Sequence, residues 1–121
     1  MSAAKKKGTA AETAVVQYLR AAGFVQVERR TLNGVKDRGD IAGIPGTVIE
    51  VKNCARQELS GWVAEAEIER DNDGASVGVV WHKRRGKTNP ADWFVTMSGA
   101  QFANLLRELQ GLPALEDGEA A

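Results

Sequence analysis

Residues 39–53 read GDIAGIPGTVIEVKN, and the fold turns on how this stretch is taken. Pro45 and Gly46 signal a turn, and the β-branched run that follows, residues 47–53, reads as a strand. Side chains alternate along a strand, so Val48, Glu50 and Lys52 share one face and Ile49 and Val51 the other. A carboxylate and an ammonium in an otherwise apolar strand are costly to bury unless they are paired or bind something. Upstream, Asp40 opens a short strand that the turn at residues 43–46 folds back onto Val48, a hairpin expected to bring Asp40 beside Glu50. Two carboxylates with a lysine alongside suit Mg²⁺, which favours a few carboxylates and retains several waters. Lys52 would hold or activate a water there, or stabilise charge on a phosphate.

Working outward, residues 9–22 carry Ala11, Ala14, Val15, Tyr18, Leu19 and Ala22 at helical spacing, closed by Gly23. Thr9 and Glu12 fit a capping box, in which Glu12 reaches back to the Thr9 amide. Residues 1–8 are polar and lysine-rich and read as a flexible basic tail. Residues 24–30 alternate as a strand, with Val25 and Val27 on one face, and residues 31–38 read as a polar loop. Residues 59–70 form a helix with Leu59, Trp62, Val63 and Ala66 inward and Glu65, Glu67 and Glu69 mostly outward, on a solvated face. Residues 76–83 and 93–97 are strands joined by a basic turn. Ser98 and Gln101 signal a second capping box, opening a helix with Phe102, Leu105, Leu106 and Leu109 inward and Gly111 past its end. Residues 112–121 read as an acidic, disordered tail.

The expected fold class is therefore α/β, in the order α-β-β-β-α-β-β-α. A helix crossing between the Glu50 strand and the Val77 strand predicts a parallel pair, and with it a mixed β-sheet flanked by helices. The nucleic-acid-binding candidates are Arg29, Arg30, Lys36 and Arg38 ahead of Asp40, and Lys83, Arg84, Arg85 and Lys87 in the later basic turn.

Gly39-Asp40, nine intervening residues, then Glu50-Val51-Lys52 resembles the PD-(D/E)xK nuclease signature, in the form found in archaeal-type Holliday junction resolvases and their phage relatives. The resemblance spans residues 9–109 and includes the element order, which is that of the restriction-endonuclease-like fold. Gly39 stands where many members carry proline. The resemblance implies a domain over residues 9–111 and a metal-dependent DNA endonuclease acting on branched DNA. Asp40, Glu50 and the Val51 carbonyl would hold Mg²⁺ or Mn²⁺, Glu12 of the first helix would assist, and Lys52 would position the attacking water. It also implies a four-way junction or other branched DNA as partner and a homodimer. Other nucleases with this core act on linear or flapped DNA, and a DNA-binding module without turnover would keep the same fold.

With 121 residues the chain holds one domain and one modest core. No apolar run approaches the roughly 20 residues of a membrane span, and a cytoplasmic location is expected, Cys54 being alone and unable to form an internal disulfide. All 16 Lys and Arg, but only 12 of the 16 acids, precede residue 108, so the body is mildly basic and the C-terminus acidic. The competing chemistry is a cysteine nucleophile, Cys54 with His82, but nothing in their spacing aligns them: a cysteine past a strand is ordinarily packing, a lone histidine at a strand end ordinarily solvated. Zinc has no ligand set. Trp62, Trp81 and Trp93 sit at apolar positions and read as core.

Overall fold

The computed structural model describes residues 2–31 and 36–113. Residues 32–35 of the expected loop and residues 114–121 of the expected tail lie outside the described residues. The elements are α1 Ala3–Ala21, β1 Glu28–Arg29, β2 Ile41–Ala42, β3 Thr47–Lys52, α2 Leu59–Asp73, β4 Val77–His82, β5 Phe94–Thr96 and α3 Gly99–Leu109, with a 3₁₀ turn at Pro90–Asp92. The chain is α/β: β3 and β4 pair in parallel across the α2 crossover, β5 runs antiparallel to β4, and β1 and β2 form a separate antiparallel ribbon. Among the described residues no helix is long and apolar enough to cross a membrane.

The two faces of the β3–β4–β5 sheet are covered by different helices. Ile49, Val51, Val77 and Val79 pack with Ala11, Val15, Val16 and Leu19 of α1, while Val80 packs with Trp62 and Ala66 of α2. The approach of α2 is close at Gly78, where a Cβ would lie 2.7 Å from the Ala66 carbonyl oxygen. Glu50 and Lys52, alternating with Ile49 and Val51, therefore face α2.

Several expectations are corrected. Residues 3–8 are helical rather than a flexible tail, because Ser2 caps the helix, its Oγ accepting from the Lys5 amide at 3.2 Å, and the alanines and lysines that follow are strong helix formers. Thr9 is then inside α1 and caps nothing. Of the strand expected at 24–30 only Glu28–Arg29 forms; the Val27 amide donates to the Phe24 carbonyl in a turn, so Val27 is buried while Val25 is exposed. The strand containing Ile41 pairs with β1 instead of closing a hairpin ladder with β3.

α3 is rotated from its expected orientation. Leu105 meets the core, but Phe102, Leu106 and Leu109 are exposed. The cause is at the sheet edge: β5 covers only Val80, Trp81 and His82 of β4, which leaves the Gly78 amide without a strand partner. The buried Gln101 side chain supplies the acceptor at 2.8 Å, and Asn104 donates to the Ser76 carbonyl at 2.9 Å. Satisfying these backbone groups turns the Gln101–Leu105 stripe inward. Ser98 caps α3 as expected, whereas Gln101 is taken by Gly78 rather than reaching back.

Candidate functional site: buried carboxylates beside a basic cleft

Asp40 is held from both sides. Its amide donates to the Ile49 carbonyl at 3.0 Å, and its own carbonyl accepts from Arg30 at 2.8 Å, so it bridges β1 and β3. This turns its side chain onto β3, where Oδ2 accepts from the Val51 amide at 2.8 Å. The approach depends on Gly39, whose φ of +93° is closed to proline and strained for other residues, and where a Cβ would lie 2.8 Å from Val48 Cγ1. The glycine at this position is thus a local requirement of this chain. The expected meeting of Asp40 with Glu50 occurs, through one backbone bond instead of a full hairpin.

Glu50, only 6% exposed, lies between three neighbours. Oε1 is 3.6 Å from Lys52 Nζ, which is in turn 2.8 Å from Glu65 Oε1 on α2. Its carboxyl also faces Asp40 and Glu69. Glu69 corrects the outward reading of the α2 acids. It is 2% exposed, the largest fully buried side chain among the described residues, none of which donates to either of its oxygens; Glu50 Oε2 is likewise buried without a donor among them. The sequence did carry the signal: Glu69 follows Trp62 by seven residues and Ala66 by three, on the same buried stripe. Glu67 accepts from Ser98 Oγ at 2.6 Å and Leu59 is exposed, two smaller departures on the same helix.

The loop before Asp40 adds a further acid. Asp37, Glu50 and Glu69 each bring a carboxylate oxygen within 4.8 Å of the other two. Burial, then the Glu50 charge, push the Asp40 carboxyl up to about 8, against the lowering effect of the Val51 amide. Burial and the adjoining Glu69 push Glu50 well above the usual carboxylate range. Burial pushes Glu69 up to about 7, against the lowering effect of the facing Glu50 carboxyl and with Asp37, Glu65 and Asp40 adding to the rise. For Lys52, burial works to lower the ammonium, but Glu65, Glu50 and Asp40 outweigh it and the net direction is up. Lys52 is a fixed cation, unsuited to act as a base. Oxygen-only donors in a buried, like-charged cluster suit a hard divalent cation.

Glu12 stands at the margin. Freed from the expected cap, it accepts from Arg29 Nε at 3.1 Å and is close enough to Asp40 to raise it.

Lys52 also lines an open cleft of about 500 Å³ with Lys7, Lys83, Arg84, Arg85 and Cys54, and among the described residues no acid lines it. Lys7 reaches it because α1 begins early. Lys83 lies 6.0 Å from the Trp93 ring centre and Arg84 lies 4.4 Å from that of Phe94. The other sequence candidates do not join this group. Arg29 is paired with Glu12, Arg30 Nη2 is 3.5 Å from the Ile41 carbonyl, Arg38 is 3.6 Å from Asp73, Lys36 is exposed on the loop before Asp40, and Lys87 is exposed. Cys54 is exposed rather than packed, and His82 is buried rather than solvated, its Nε2 2.7 Å from Thr96 Oγ1. Trp62 and Trp93 are buried, as read.

No family model, curated protein or solved structure matches the chain.

Proposed function

We propose that the chain is a Mg²⁺-dependent endonuclease that hydrolyses phosphodiester bonds in DNA, of the PD-(D/E)xK kind that its Gly39-Asp40 and Glu50-Val51-Lys52 pattern resembles. The observation that carries this reading is the union of three features at Lys52: buried carboxylates Asp40 and Glu50 on one side, the Glu65 clamp on α2, and the basic cleft on the other.

The residues present fit a divalent ion, because Glu50 Oε2 is a buried acceptor with no donor. Asp40, Glu50 and the Val51 carbonyl would hold Mg²⁺ or Mn²⁺, with Glu12 assisting; the ion would supply charge stabilisation at the scissile phosphate. Lys83, Arg84 and Arg85, with Lys7, bind flanking phosphates and direct the strand toward Lys52. The Lys52 ammonium, fixed by Glu65, orients the attacking water and stabilises charge gathering on the phosphate oxygens. Water adds to phosphorus and the bond to the 3′ oxygen breaks, leaving a 5′-phosphate and a 3′-hydroxyl. The preferred substrate in this reading is branched DNA, with a homodimer supplying two sites.

The test is cleavage of a labelled four-way junction beside a linear duplex of the same sequence, with Mg²⁺ or with EDTA, using Glu50→Gln and Asp40→Asn as controls. Paired nicks near the branch, lost with EDTA and in both variants, are expected. Equal cutting of both substrates removes the junction preference. Cutting that survives in the variants removes the assigned site.

A further inference from the structure

Glu50 also faces two acids, Asp37 and Glu69, that the proposed mechanism does not use. Oε1 has the lysine at 3.6 Å, whereas Oε2 is buried and has no donor. The Glu50 carboxyl meets Glu69, itself 2% exposed and without a donor to either oxygen among the described residues, and the Asp37 carboxylate, one oxygen of each lying within 4.8 Å of the other two.

This cluster is built rather than incidental. Asp37 Oδ1 accepts from the Gly39 amide at 2.9 Å and the Asp37 carbonyl accepts from Asn72 Nδ2 at 2.8 Å, which ties the loop to the C-terminal half of α2. Arg38 to Asp73 at 3.6 Å fastens it again. The neighbouring cations are drawn mainly to other partners: Lys52 lies 2.8 Å from Glu65 and 3.6 Å from Glu50, Arg38 pairs with Asp73, and Arg70 with Asp71 and the Ala75 carbonyl. Among the described residues no Lys or Arg pairs with Glu69 or Asp37. Three converging carboxylates, two of them out of water and with only the shared Lys52 beside Glu50 as counter-charge, are strongly unfavourable when all are ionised.

We propose that Asp37, Glu50 and Glu69 form a divalent-cation site of their own on the α2 side of β3, taking Mg²⁺ or Mn²⁺ and sharing Glu50 with the Asp40 position. This deepens the nuclease reading, on which it rests through Glu50. Two hard cations around one carboxylate would stabilise both the entering and the departing oxygens of a phosphodiester. Asp37, exposed and on a loop, supplies the replaceable ligand; Glu69, on a helix, supplies the rigid one.

The experiment is Mn²⁺ titration of the whole chain without DNA, followed by calorimetry and by the spin-resonance signal of free Mn²⁺. Wild type is expected to take two ions. Glu69→Gln and Asp37→Asn should each take one, with the lost site weakened at least tenfold, and Asp40→Asn should take one while keeping the α2 site. Asp37→Asn alters an exposed side chain, so it reports even if Glu69→Gln perturbs the fold. One ion, lost in Asp40→Asn but unchanged in Glu69→Gln and Asp37→Asn, would overturn this proposal and leave the nuclease reading standing. One ion lost in Glu69→Gln and Asp37→Asn but kept in Asp40→Asn would support the α2 site and remove the mechanism's metal position. No binding at millimolar Mn²⁺ would overturn both.

Discussion

Without a cation, Glu69 opposes folding at alkaline pH, and Glu69→Gln should relieve that opposition. The carboxyl lies at about 7 in the folded chain against an ordinary 4.5. An acid whose folded value is raised keeps its proton in the native state while the unfolded chain releases it. Its contribution is therefore harmless below about 4.5, grows more unfavourable as pH rises from 4.5 to 7, and is constant above 7. At about 1.4 kcal/mol per pH unit, the full penalty is about 3 kcal/mol at pH 8.5 and under about 1 kcal/mol at pH 5. Glutamine has the shape and neutrality of the protonated acid. Urea unfolding in EDTA should show Glu69→Gln near wild type at pH 5 and more stable than wild type by about 2 to 3 kcal/mol at pH 8.5. If the proposed α2 site binds, saturating Mn²⁺ should reverse the order, because wild type then gains the stabilisation of two ions and the variant of one. A Glu69→Gln effect that does not change with pH, or a loss of stability at pH 8.5 in EDTA, would refute the reasoning and place a counter-charge at Glu69.

Three other outcomes follow from the fold and the cleft. Gln101→Leu leaves the buried Gly78 amide without an acceptor and should lower stability by about 1 to 3 kcal/mol in thermal or urea melts, although leucine would extend the apolar face of α3. Gly61→Ala, in the first turns of α2 with nothing within 4 Å of the added Cβ, should raise stability by about 0.5 to 1 kcal/mol in the same assay. Arg84→Ala with Arg85→Ala should weaken DNA binding and reduce the slope of log affinity against log salt by about 2, one for each phosphate left without its arginine, measured by fluorescence anisotropy.

The α/β class, the element order and the parallel β3/β4 pair were legible because each rests on strong local signals: a β-branched strand, an amphipathic crossover helix and a second apolar strand. So was the meeting of Asp40 with Glu50, since a glycine-rich turn lies between them. The structure departs from the sequence pattern where side-chain type alone does not decide which face is buried. Phe102, Leu106 and Leu109 read as core, yet an unpaired amide on Gly78, which only the strand pairing reveals, draws Gln101 inward instead. Glu69 read as surface because it is charged, although its spacing from Trp62 and Ala66 puts it on the buried stripe. The early start of α1 turned on Ser2, one residue before a lysine run that resembles a solvated tail. The gathering of Lys7 with Lys83, Arg84 and Arg85 is a tertiary event, with no trace in the spacing along the chain.

The placement of Glu65 and Glu69 on α2 follows from matching repeats. Alternate residues of a strand are about 6.6 Å apart and residues four apart on a helix rise about 6 Å, so two such pairs stay in register when helix and strand pack together. The crossover sends α2 back along β3, which sets Glu65 against Lys52 and Glu69 against Glu50. One rung therefore joins opposite charges and needs nothing further. The other joins like charges, and its neighbours Asp37 and Asp40 are acids as well. A protein-supplied cation in that rung would satisfy it permanently and leave no room for an ion. Glutamate in both positions keeps Lys52 charged and oriented by the first rung, while the second holds its protons well above the usual carboxylate range and, in the proposed reading, would give them up to a metal. The two rungs are linked by the contact of Glu50 with Lys52 at 3.6 Å, so the ionisation of the like-charged rung and the electrostatic state of Lys52 depend on each other.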